Sequence, residues 1–136
     1  MPPTKKLPRH SKLAIAEGLI NCFAFGTSLA YTNQSRSYQF SVFPGMHTQD
    51  LSYTFFNGER DDFLGVPILS SVAKVMQGWF VDFAMLGDTA AGSTVTQVPL
   101  YTAQANVVNI TGSGFTTVRD PSANSRCLFW LTGLTS

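Results

Sequence analysis

Apolar side chains recur at three- and four-residue steps through residues 13–31, at Leu13, Ala16, Leu19, Ile20, Phe23, Ala24 and Leu29, the period of one helix face. Gly18 and Gly26 interrupt that run and weaken the helix it predicts. After a polar break at 33–37 the period changes to two. Residues 38–43 alternate, with Tyr38, Phe40 and Val42 on one face, and read as a strand that Pro44 and Gly45 stop. Residues 57–62 form a charged turn, expected to connect at the surface. The widest apolar stripe lies in 66–86, where Leu69, Val72, Ala73, Met76, Trp79, Phe80, Phe83 and Ala84 share a helix face and Pro67 suits a first turn. Gly87 supplies the left-handed cap after it. Short β-like runs follow at 98–101, 105–110 and 115–118, and residues 123–132 predict a closing helix. Residues 1–11, rich in proline and basic side chains, lack an apolar period and are expected to be a disordered lead-in to one domain over 12–136.

The chain has 136 residues, 44% of them apolar, which suffices for a packed core. Charged residues make up only 12%, about half the usual share, and the net charge of +1 argues for neither nucleic acid nor an anionic membrane as partner. No uninterrupted apolar run reaches about 18 residues, so no membrane span is expected, and the basic start lacks the layout of a secretory signal peptide. Cys22 and Cys127 could be two buried thiols or a pair. Asn33 and Asn109 each open a glycosylation sequon.

Among motifs that carry chemistry, no Gly-x-Ser-x-Gly turn occurs, and Ser28, Ser70 and Ser113 are not framed as nucleophiles. His10 and His47 with two distant cysteines lack zinc-ligand spacing, and residues 112–114 are too short to cradle phosphate, so neither metal nor nucleotide cofactor is expected. What stands out is residues 38–54, where a strand-like run leads into Pro44-x-x-His47-x-x-Asp50 and then an aromatic segment. A histidine just past a strand end sits where a proton-transferring base is delivered to a sheet terminus.

That stretch, taken with Cys22, the long helix ending at Gly87 and Asp88, Asp120, and Cys127 followed by Leu128, Phe129 and Trp130, resembles the C-terminal portion of the type-B carboxylesterases, the cholinesterase-like α/β-hydrolases. The resemblance runs from Glu17 to Leu134. It implies an α/β class and a partial α/β-hydrolase fold: a helix, an edge strand, the histidine loop, a long helix, short strands and a terminal helix. It further implies that His47 is the base of a serine triad, that Asp50 shapes its loop without being the triad acid, and that Cys22 pairs with Cys127 in a secreted parent. Thr48 stands where many relatives carry glycine. In that family the serine, the triad acid and the oxyanion donors lie upstream of the matched region. The expected function is therefore the histidine-bearing part of an enzyme that cleaves small carboxylic esters, inactive as an isolated chain. A non-catalytic, cholinesterase-like interaction domain is the alternative. Trp79, Phe80 and Phe83 would pack on the central sheet of an intact hydrolase, and partial exposure of that face would promote self-association.

Overall fold

A computed structural model describes residues 9–88 and 97–133. Its helices and strands run in the order α1 (Arg9–Ala16), a π-helical turn (Glu17–Asn21), α2 (Cys22–Ala30), β1 (Tyr38–Phe40), α3 (Leu51–Thr54), α4 (Ser70–Leu86), β2 (Asn106–Thr111), β3 (Gly114–Arg119) and α5 (Ser125–Thr132). Strands pair in the order β1-β2-β3, β1 parallel to β2 and β2 antiparallel to β3. This mixed sheet is compatible with a partial α/β fold.

Alternation along β2 decides what lies on each face of the sheet. Val108 and Ile110 point into a core with Val42, Tyr53, Val72, Ala73, Met76, Trp79 and Val98, so α3 and α4 cover that face. Val107 points the other way, into a second core with Cys22, Phe25, Tyr101, Ala105 and Cys127, where α2 and α5 lie. A disulfide joins Cys22 to Cys127 across this second layer. The implied pairing is thus present, and among the described residues no free cysteine remains.

Gly18 and Gly26 have a role that periodicity could not assign. A Cβ at position 26 would stand 2.7 Å from Leu131, and one at 18 would touch the Trp130 ring at 3.4 Å. The glycines that weaken the helix let α5 lie close against it. Arg126 then reaches back with a bidentate ion pair to the buried Glu17, at 2.8 and 2.9 Å.

Several expected boundaries move, among them the end of β1, at Phe40 and not at 43. The first helix begins at Arg9, so residues 9–11 are helical and not part of a disordered lead-in; residues 1–8 lie outside the described residues. The long helix begins at Ser70, and Pro67 precedes it. The reason is tertiary: Ile68 N donates to Arg60 O and Asp62 N to Val66 O, which holds residues 66–68 extended against 60–62. The aromatic segment after His47 contains the single turn α3. At its other end α4 stops at Gly87, φ +72°, as expected. Of the β-like run at 98–101, only a bridge between Leu100 and Arg36 forms. The small-residue loop after Asp88 lies largely outside the described residues.

Residues His10–Ala30 make one helical stretch of 21 residues that is long and apolar enough to cross a membrane, contrary to the expectation drawn from uninterrupted apolar runs. The two measures differ because scattered polar residues such as Glu17 and Asn21 end a run without making the average polar. Here the stretch is fastened to α5 through Cys22 and Glu17.

Candidate active site

Beyond the C-terminal end of β1 the chain folds into a tight loop that carries His47. Val42 stays buried, and Gly45 N donates back to Val42 O at 2.7 Å. The Phe43–Pro44 peptide is cis. Residues 43–47, His47 among them, are exposed. In α/β sheets ligands gather outside the carboxyl ends of parallel strands, which is the end of β1 that this loop occupies.

Two side chains hold the loop from inside. Gln49 is fully buried and uses its whole amide. Its Oε1 accepts from Gly45 N at 3.0 Å and Met46 N at 3.2 Å, while its Nε2 donates to Phe43 O at 3.1 Å and Asp62 Oδ2 at 2.9 Å. Asp50 accepts from the Tyr38 hydroxyl at 2.8 Å, which ties the loop's far end to β1. Burial first, and then that carboxylate, raise the Tyr38 phenol well above its ordinary range.

Asp62 falls in the turn expected to be a surface connection, yet it is only 7% exposed. Burial pushes its carboxyl up, but the donors from Val66, Gln49 and Leu64 outweigh that and hold it below the usual carboxylate range. A carboxylate depressed in the folded state contributes stability that is fully present above about pH 4 and is lost as pH falls below that. The turn's composition hid this residue, although the Asp-x-Leu-Gly spacing of 62–65, which lets a carboxylate bond the backbone two residues on, is a legible signal.

Thr48 has φ +70°, in the left-handed region that glycine enters freely. A β-branched residue there costs about 1–2 kcal/mol, offset in part by the greater freedom glycine would have when unfolded. Thr48→Gly is therefore expected to stabilise the chain by about 0.5 kcal/mol, read from the urea midpoint. Destabilisation instead would show that the threonine side chain contributes something beyond this strain.

The two sequons differ in setting. Asn33 is exposed just past α2 at φ +64°. Asn109 sits mid-strand in β2, between Gln39 and Thr116, with its Oδ1 buried and without a partner.

A cavity of about 520 Å³ opens beside β1 and α4, lined in part by Tyr31, Arg36, Tyr38, Trp79, Phe80 and Phe83. Arg36 crosses its mouth to Asp88 at 2.8 Å and also donates to Val98 O. His47 does not line it. Among the described residues no cluster of His, Cys, Asp and Glu could hold a metal ion.

Comparison with known proteins supports a carboxylesterase-like relationship for this chain. The similarity is to carboxylesterase patB of Penicillium expansum, 28% identical over 92 residues. Those residues are 68% of this chain but 16% of that protein, so the chain spans less than a fifth of its relative's length. No protein-family model matches the chain.

Proposed function

We propose that the chain is the C-terminal portion of a serine carboxylic-ester hydrolase of the cholinesterase-like type, with His47 as its general base and then its general acid. The observation that carries the reading is the setting of His47, held on a clamped loop just past β1. Its ring is free to meet groups from outside the chain. The imidazole would take the proton of a serine hydroxyl as the oxygen attacks the ester carbonyl, then return it to the leaving alcohol. Serine, acid and oxyanion donors are to be supplied by polypeptide beyond this sequence. Asp50, bonded to Tyr38, shapes the loop.

The open side of the sheet supports the same reading. Ser37 O and Ser41 N bond to β2, so alternation turns the peptide groups of Tyr38 and Phe40 toward the unpaired edge of β1. Leu19 and Phe23 on the first helical stretch and Phe83 and Met85 on α4 are also exposed. Such a surface belongs against further strands and helices, and in the isolated chain it favours self-association. The disulfide and an accessible Asn33 fit a secreted parent.

The isolated chain is expected not to accelerate hydrolysis of a p-nitrophenyl ester. A chimera in which this chain replaces the matching segment of the Penicillium carboxylesterase should hydrolyse it and lose about 10³-fold or more on His47→Ala. An active chimera indifferent to that substitution would remove His47 from the chemistry.

A further inference from the structure

The Gln49 amide has two faces with opposite polarity. Its oxygen must point at Gly45 N and Met46 N, because both are donors, and its nitrogen must point at Phe43 O and Asp62 Oδ2, because both are acceptors. A flip of the amide would set donor against donor and acceptor against acceptor at all four contacts. Asp62 cannot turn away, since its other oxygen accepts from Leu64 N at 2.8 Å and Val66 N at 2.9 Å. The turn preceding His47 is thereby referenced, through one buried side chain, to a second loop 13 residues further along the chain.

We propose that Gln49 and Asp62 form a polar clamp that positions His47, with the Asp62 carboxylate fixing the orientation of the Gln49 amide and that amide fixing the backbone of residues 43–46. Both are positioning residues. Their significance for ester cleavage rests on the reading of His47 as the base. A buried amide with all its hydrogen-bonding capacity engaged specifies one conformation, because any alternative leaves a desolvated donor or acceptor unmatched.

The test uses the full chain and a charge-reversed pair. Asp62→Asn keeps the shape and the bonds to Leu64 and Val66 but presents an NH₂ to the Gln49 NH₂. Gln49→Glu keeps the acceptor for Gly45 and Met46 but faces Asp62 with a second carboxylate. Combined, Q49E and D62N restore a donor facing an acceptor between positions 49 and 62, while Phe43 O still lacks the donor it had in Gln49 Nε2. By NMR hydrogen exchange each single variant should lose about tenfold or more of the protection at the Met46 amide, while β2 amides stay protected. The His47 ring, readily assigned in a chain with two histidines, should gain motion or multiple signals. The double variant should recover part of the protection and be better ordered at His47 than either single variant, the unmatched Phe43 O keeping recovery incomplete.

Unchanged loop amides and His47 in both single variants would overturn the clamp, as would a double variant no better ordered than either single. Loss of protection throughout β2 to the same degree as at Met46 would also overturn it, because that would mark a general stabilising role. No ester is involved. A failed clamp therefore leaves the catalytic assignment of His47 standing, and a failed chimera leaves the clamp standing.

Discussion

Reduction of the Cys22–Cys127 bond is expected to lower the stability of the chain by about 4.7 kcal/mol, the chain-entropy value for a closed loop of about 100 residues. The bond spans 105 positions and lies in the core shared by α2, α5 and the sheet. The first helical stretch is otherwise held by Phe25 in the same core, the contacts of Gly18 and Gly26 with α5, the ion pair of Glu17 with Arg126, and the hydrogen bond of the buried Ser28 with Ser37. Much of its remaining surface is apolar and faces water. The loss should therefore concentrate there. Urea denaturation with and without reductant measures the total, and amide exchange should show α1, α2 and α5 opening before β2. A midpoint unmoved by reductant would mean that the helices are held without the bond.

Trp79→Ala should cost about 3–5 kcal/mol, the range for removing a buried aromatic side chain. Trp79 is 3% exposed, stacks edge-on against Phe115 at 5.2 Å, and stands in the core between α4 and β2. Deleting it removes the ring contact between the long helix and Phe115 of β3 and leaves a gap beside Val108 and Ile110. Set against the usual total of about 5–15 kcal/mol for a domain, that loss is a large share of the stability. Circular dichroism during a urea titration would register it. A cost below about 1 kcal/mol would show that the neighbouring side chains collapse into the space.

Local pattern carried the elements whose cause is local. The apolar stripe on α4, the Gly87 cap, the β2–β3 pair and the closing helix were all legible because each depends on residues within a few positions of one another. Asn124 shows the same economy of cause, capping α5 by accepting from Arg126 N and Cys127 N. What escaped the sequence depends on distant partners. Pro67 sits outside its helix because residues 60–62 pair with the segment that holds it. Gly18 and Gly26 read as flaws until α5 is laid against them. The loop around His47 was legible as a position and not as a mechanism, since the partner that fixes it, Asp62, is hidden among charged neighbours Arg60 and Asp61 that resemble a solvated turn.

The length of the crossover between β1 and β2 governs how this polypeptide must come into being. Tyr38 meets Val108 only after some 70 further residues have left the ribosome, and Cys22 meets its partner later still. Throughout that interval the helix that carries Cys22 presents an unpaired thiol and an exposed apolar flank. Holding that thiol back from premature partners is thus a task for folding helpers, and the yield of the oxidised chain will depend on oxidase and isomerase capacity more than on any local propensity.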